Sequence, residues 1–256
     1  MHVRLTGAHN AESAETRLAG LVVDGRIALD AGSLTRSLSV EELRELRHVF
    51  VTHRHYDHIR DLPALAYATP QAGTLHIYGP QDTLDALADH LMNDVIYSAY
   101  HNRAGRDGAP RAALHALEPP RPVRIGEITV TPYDTPHTAP AVGYSVEGNG
   151  ARIAYTGDTG AGFSERFPAP LPDVLISEVT YSNAGLDDAQ RNGHLTPQLL
   201  RTEVENIVRG AGRPPRIVVV HRNPDHERKI RQEIAALRGE TGWDIIPGEA
   251  DMTLRV

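Results

Sequence analysis

The chain of 256 residues contains no cysteine. That excludes disulfides, iron–sulfur clusters and thiolate metal ligands, so any bound metal must sit on nitrogen and oxygen. No apolar run approaches the roughly 20 residues needed to cross a bilayer. The first residues, MHVRLTGAHN, lack a charged-then-apolar leader pattern. A cytoplasmic protein without membrane partners is therefore expected. Positive charge is in deficit, with a formal net charge of −7 at pH 7. A surface of that sign does not attract a long nucleic acid by its overall field. A small anionic substrate remains admissible, because bound metal ions would dominate the local charge. No short fixed repeat and no linker-like stretch is visible, so one domain over residues 1–256 is expected.

Hydrophobic residues make up 40% of the chain, enough for a sizeable core. The pattern predicts a first strand in HVRLTG and a hairpin in which Leu21–Val23 and Ile27–Leu29 flank Asp24-Gly25. A short helix follows at 40–46, then an apolar strand, HVFVT, and a helix, IRDLPALAYAT, with Pro63 near its start. After a strand at 74–79, residues 82–100 carry apolar side chains at 84, 87, 91, 95 and 96 and predict a helix. Residues 102–111 read as a loop. Strands near 113–117, 122–125 and 127–133 precede a second hairpin turning at Asn149-Gly150. DVLISEVTY predicts a buried strand and residues 182–193 an exposed loop. A helix over 196–211 starts with Thr196 as N-cap and Pro197 at its first position. RIVVVHR, a helix from Asp225 and short closing strands complete the chain. The halves echo each other, which suggests two sheets face to face with helices outside.

Histidine is the residue in excess, with 14 in the chain. Four ligand-type residues crowd into THRHYDH: His53, His55, Asp57 and His58. Alternate residues of an extended chain point the same way, so His53 and His55 can reach one ion. Asp57 and His58, in the turn beyond, can reach a second. Other polar residues fall at strand ends downstream: His137, Asp158, Glu178 and His221, with His194 just before a helix. Taken alone, His137 is equally a turn histidine beside Pro136, and Asp158 a turn former in GDTG. His221 competes with His226. It is preferred because it ends an apolar strand, whereas His226 falls in a first helical turn and is expected to face solvent. His2, His9, His48, His76, His90, His101 and His115 share no pattern.

His-x-His-x-Asp-His followed by these positions resembles the metallo-β-lactamase superfamily, from IALDAG through VVVHRN. The resemblance implies an α/β fold, the four-layer αββα sandwich, here with a helical insertion near 80–111. It implies two divalent metal ions: Zn, with Mn or Fe as alternatives that nitrogen and oxygen ligands also suit. His53, His55 and His137 would hold the first, Asp57, His58 and His221 the second, and Asp158 would bridge. LISEVTYSN and GHLTP resemble the phosphodiesterase branches, in which His194 would protonate the leaving oxygen and Glu178 would orient it. Asp57 counts with these catalytic groups as well as with the ligands. With LADHLMNDVIYSAYHN, the pattern is most similar to class II cyclic-nucleotide phosphodiesterases. It departs from them where DVIYSAY replaces a tryptophan-proline pair and SEVTYSN a cysteine-serine-phenylalanine run. The expectation is hydrolysis of a small anionic cyclic nucleotide by a homodimer, with Tyr97 and Tyr100 available for base stacking. The alternatives are a tRNase Z-type endonuclease, a lactonase or thioester hydrolase, and a non-catalytic binding protein on the same scaffold.

Overall fold

The computed structural model describes residues 1–68, 73–105, 108–209 and 214–256. In chain order the strands begin with β1 (His2–Gly7), β2 (Gly20–Val23), β3 (Ile27–Leu29), β4 (His48–Phe50), β5 (Leu75–Gly79) and β6 (Ala112–Ala116). They continue with β7 (Val123–Ile125), β8 (Ile128–Thr135), β9 (Ala141–Gly148), β10 (Ala151–Tyr155), β11 (Val174–Glu178), β12 (Arg216–Val220), β13 (Ile245–Pro247) and β14 (Thr253–Arg255). The α-helices are α1 (Leu34–Ser37), α2 (Val40–Glu45), α3 (Tyr56–Ile59), α4 (Leu62–Ala68), α5 (Gln81–Ala86), α6 (Leu186–Asn192), α7 (Pro197–Ile207) and α8 (Glu227–Thr241).

Two mixed sheets result, ordered β14-β1-β2-β3-β4-β5-β6 and β13-β12-β11-β10-β9-β8-β7. In each, an antiparallel portion runs into four parallel strands: β3 to β6 in one, β10 to β13 in the other. Both expected hairpins form. Asp24 and Gly25 have φ of 47° and 68°, and Asn149 and Gly150 have φ of 54° and 75°, the twist that two antiparallel strands require.

One core lies between the sheets, with Leu5, Leu21, Phe50, Tyr144, Ile153, Ile176 and Val218 among its members. A second, around Leu34, Leu62, Leu65 and Leu87, fills the space under α1, α2, α4 and α5. A third joins Leu175, Ile217 and Val219 to Leu200, Val204, Ile230 and Ile234 of α7 and α8. Strands buried on both faces read as continuous apolar runs, and RIVVV of β12 is the clearest case. The expected αββα layering is the one that forms.

Three segments differ from the sequence reading. The helix expected over 82–100 ends with a wider π-helical turn at Leu87–Leu91. Beyond it, Asn93 Nδ2 donates to the Asp89 carbonyl, and Asn93 Oδ1 accepts from Val95 N. Asp94, with φ of 66°, accepts from Ala99 N. These short polar side chains capture the backbone groups a helix would need, so only a 3₁₀ turn at Tyr100–Asn102 resumes. The expected loop 182–193 instead folds into a 3₁₀ turn and α6. The histidine cluster, read as a turn, contains α3. The helix expected over 196–211 is regular to Ile207, and residues 210–211, like Thr69 of the earlier helix and residues 106–107 of the expected loop, lie outside the described residues.

Candidate metal centre

The ligand-type residues predicted from the sequence lie at one edge of the sandwich, with Glu178 and His194 beside them. His53 and His55 follow β4, and Asp57 and His58 sit in α3 immediately after them. His137 follows β8, Asp158 follows β10, Glu178 ends β11 and His221 follows β12. Strands of the same direction deliver their C-terminal ends to the same edge, where polar groups converge without disturbing the core. The sheets are stitched together there: Tyr144 Oη donates to the Val51 carbonyl at 2.6 Å, and Val142 N to the Thr52 carbonyl at 3.1 Å. Gly157, with φ of 56°, precedes Asp158, and a Cβ there would meet Thr52 at 2.6 Å. The close approach of Asp158 to the first sheet therefore requires glycine.

Two sets of ligand atoms form. Atoms of His53, His55, His137 and Asp158 lie within 4.8 Å of one another, as do those of Asp57, His58 and His221. Asp158 faces both sets. Its Oδ2 is 3.6 Å from His53 Nε2 and 3.9 Å from His137 Nε2, and its Oδ1 is 3.3 Å from His58 Nε2 and 3.2 Å from His221 Nε2. His55 enters the first set through Nδ1, 3.2 Å from His137 Nε2. Asp57 Oδ2 is 3.2 Å from His221 Nε2 and 3.5 Å from His58 Nε2.

The opposite ring nitrogens of His53, His58, His137 and His221 are occupied. His137 Nδ1 donates to the Gly193 carbonyl at 2.9 Å, and His58 Nδ1 to Asp30 at 2.7 Å. His53 Nδ1 is 3.0 Å from Thr52 Oγ1, and His221 Nδ1 is 2.9 Å from Thr180 Oγ1. This fixes the tautomers so that Nε2 lone pairs face the centre. Three of the facing atoms, His53 Nε2, His58 Nε2 and Asp158 Oδ1, are buried with no hydrogen-bond partner. Buried polar atoms are normally satisfied, and a divalent cation is the partner this donor set suits. The residues fit two metal ions of the kind nitrogen and oxygen ligands take.

Electrostatics agree with that fit. Burial and the neighbouring His58 push His53 well below the usual histidine range, which leaves a neutral ring with a free lone pair. Burial opposes ionisation of Asp158, yet the rings of His221, His58 and His53 hold its carboxyl well below the usual range. Burial also opposes a charged His58, but Asp158, Asp30 and Asp57 together raise it well above the ordinary value. The concentration of carboxylate there calls for positive charge, whether a proton or a metal ion, and the two compete.

His194 and Glu178 meet as predicted: His194 Nδ1 donates to Glu178 Oε1 at 2.7 Å. Glu178 is fully buried. Burial disfavours a charged His194, but the charge and hydrogen bond of Glu178, with Asp158, outweigh it and raise its pKa to about 9. A nitrogen of His194 also falls within ligand range of Asp158 and His221. An open cleft of about 510 Å³ exposes the cluster, lined by His55, Asp57, Asp158, His194 and His221, by Tyr56 and Arg60, and by Asn10, Ala11, Glu12 and Leu18 of the loop after β1.

The structure also assigns groups the sequence reading passed over. Asp30, buried and at φ of 60°, accepts from Thr52 N, Thr52 Oγ1, Tyr155 Oη and His58 Nδ1. Its signal was a lone acid inside IALDAG, the stretch where the resemblance begins, and the sequence reading gave it no role. Thr180 had no signal of its own. His226 is not free in solvent: it lies against Tyr181 and bonds Ser182 Oγ at 3.1 Å. His48, His76 and His115, expected to share no pattern, stack on β4, β5 and β6. Residues 87–102 do not line the cleft. Tyr100 is buried under Arg111, and Tyr97 is exposed.

Residues 21–227, which contain the whole cluster, match the family model described as a beta-lactamase superfamily domain. The chain belongs to the metallo-β-lactamase superfamily. It is 30% identical over 143 residues to an uncharacterized protein of Mycobacterium tuberculosis, covering 54% of this chain and 50% of that one. It therefore spans about half the length of that relative. Ribonuclease BN of Cronobacter sakazakii is 22% identical over 245 residues, covering 75% of this chain and 76% of the relative. Among superfamily structures, unliganded yeast PDE1 superposes with a TM-score of 0.79 at 18% identity, covering 100% of this chain and 99% of that one. Zn²⁺-bound PqqB from Methylobacterium extorquens gives 0.71 at 16% identity, covering 100% of both. At such identities the structural likeness is one of fold.

Proposed function

We propose that the chain is a binuclear metal-dependent phosphodiesterase that hydrolyses cyclic nucleotides. The observation that carries this reading is His194, held from behind by the buried Glu178, at the wall of a cleft that also opens onto the two ligand sets. His53, His55 and His137 would hold one divalent ion, Asp57, His58 and His221 the other, and each oxygen of Asp158 faces one set. Bound there, the ions supply an acidified water and neutralise phosphate charge.

The remaining steps belong to side chains. Asp57, a quarter exposed on the cleft wall, orients the attacking water. A departing alkoxide is a strong base and needs a proton. His194 carries that proton, because Glu178 fixes Nδ1–H inward and leaves Nε2 for the cleft. With a pKa raised to about 9 the ring is charged at neutral pH, and bound cations oppose that rise. A thioester hydrolase expels a thiolate, a far weaker base than an alkoxide, and has no comparable use for a proton donor held by a buried carboxylate. The second reading is a ribonuclease of the BN or Z type, favoured by the alignment to ribonuclease BN over three quarters of both chains. The net charge of −7 speaks against a long RNA.

The deciding experiment offers Zn²⁺- or Mn²⁺-loaded protein 3′,5′-cyclic AMP and GMP, cyclic dinucleotides, a precursor tRNA and a thioester. Turnover of a cyclic nucleotide is expected. His194→Ala should keep its metal and lose about 10²–10⁴-fold in kcat on that substrate. Activity confined to the thioester, or a fully active His194→Ala, would overturn the proposal.

A further inference from the structure

Glu178 uses only one of its oxygens for His194. The other, Oε2, accepts from both the backbone N and Oγ1 of Thr180 at 2.9 Å. The same hydroxyl lies 2.9 Å from His221 Nδ1. Thr180 is buried, and so are Glu178 and His221. His221 Nε2 faces Asp57 and Asp158 in the second ligand set; when that nitrogen ligates a metal ion, Nδ1 bears the hydrogen and donates to Thr180 Oγ1. The threonine's single proton then has two acceptors, Glu178 Oε2 at 2.9 Å and the His221 carbonyl at 3.1 Å. The charged, nearer oxygen is the stronger partner. His194 Nδ1 stands off at 3.3 Å from the hydroxyl and spends its hydrogen on Glu178 at 2.7 Å.

We infer that Thr180 is a positioning residue through whose hydroxyl one carboxylate, Glu178, orients two histidines at once: the proton donor His194 directly and the metal-side His221 indirectly. This rests on the phosphodiesterase reading for the role of His194 but not for that of His221. The other half of the site is built the same way. His53 Nδ1 meets Thr52 Oγ1 at 3.0 Å, Thr52 Oγ1 meets Asp30 Oδ2 at 3.1 Å, and Asp30 Oδ2 takes His58 Nδ1 at 2.7 Å. In each half a buried carboxylate holds one histidine directly and a second through a threonine. In the first half both histidines face the ligand sets. In the second, the directly held histidine is the one turned to the cleft.

The arrangement makes Thr180 visible in two independent readouts. Thr180→Val removes the hydroxyl at nearly constant shape, and Thr180→Ser restores it without the methyl. Affinity for Zn²⁺ is measured by competition with a chromogenic chelator, with no substrate present. Thermal unfolding checks that each variant folds. Thr180→Val is expected to lose about 10–100-fold in affinity for one of two Zn²⁺ equivalents, with Thr180→Ser within about threefold of the parent. With cyclic AMP the same variant should lose about 10–100-fold in kcat with KM nearly unchanged. With bis(p-nitrophenyl) phosphate, whose leaving group departs without a proton, the loss should be no larger than unfilled metal explains. Parent-like Zn²⁺ affinity in Thr180→Val, or Thr180→Ser as impaired as Thr180→Val, would overturn the inference. If the parent turns over no phosphodiester at all, the functional reading fails, while the Zn²⁺ comparison still decides the role of Thr180.

Discussion

Asp30 shows how much of a metal site is decided by residues that never face the metal. Its carboxylate gathers four donors, from Thr52 N, Thr52 Oγ1, His58 Nδ1 and Tyr155 Oη. Only an ionised carboxyl can accept from all of them. Asp30→Asn keeps the volume and the left-handed backbone, since asparagine tolerates φ of 60°. It must nonetheless turn an NH₂ toward at least one existing donor. Destabilisation of about 1–3 kcal/mol is expected, with a loss of about 10–100-fold in metal affinity as His58 loses its anchor. Urea unfolding and chelator competition measure the two separately. Parent-like values in both would show that the carboxylate does not orient His58. The candidate ligands were legible because THRHYDH packs four of them into six residues, and His137, Asp158 and His221 each follow a recognisable strand. Asp30 and Thr180 were not, because their partners lie far along the chain: Tyr155 is 125 residues from Asp30, and His221 is 41 from Thr180.

At the scale of elements, periodicity revealed the strands and the long helices, while short polar segments escaped it. Asn93 and Asp94 cut a helix that the apolar spacing of 84, 87, 91 and 95 had extended. The polar run 186–192 became α6 because its exposed face needs no apolar stripe. Its C-terminal end matters to the site. Gly193 adopts φ of 69°, its N–H closes the helix on the Ala189 carbonyl, and its own carbonyl accepts from His137 Nδ1. One glycine thus ends α6, anchors one member of the first ligand set and aims the next residue, His194. A Cβ at this position would stand 3.1 Å from His137 Cα and Nδ1 and from Thr138 N. Gly193→Ala should therefore cost about 1–2 kcal/mol for the left-handed backbone alone, seen as a lower urea midpoint. It should also weaken zinc binding by displacing His137. A variant as stable as the parent, with the parent's metal affinity, would mean that α6 and the His137 loop adjust independently of the turn.

Across the whole molecule, nine of the 14 histidines fall into two groups at different positions. One gathers at the metal edge. The other, His48, His76 and His115, stacks on neighbouring strands of the first sheet, with His76 Nδ1 2.9 Å from His115 Nε2 and His48 Nδ1 3.3 Å from Tyr78 Oη. Partial burial, the mutual repulsion of the rings and the charge of Arg47 push His48 down to about 4. Burial lowers His76 and His115 as well. A histidine whose folded pKa lies below its unfolded value of about 6.5 binds its proton more readily in the unfolded chain. Stability from this stack is therefore complete above pH 6.5 and lost as pH falls toward 4. Glu227, paired with the buried Arg222 and held at about 2 despite burial, has its own window. Its contribution is complete above about 4.5 and lost only as pH falls toward 2. His48→Phe keeps a ring against His76 and Tyr78 and removes one proton-binding group. Relative to the parent, its urea midpoint should rise progressively between pH 6.5 and pH 4, and the difference should be constant between pH 7 and pH 8. Glu227 and the metal-edge histidines are common to both proteins, so the comparison isolates the stack when both are measured with chelator present. A difference that does not change between pH 7 and pH 4 would show that the stack accepts its proton equally in the folded and unfolded chain.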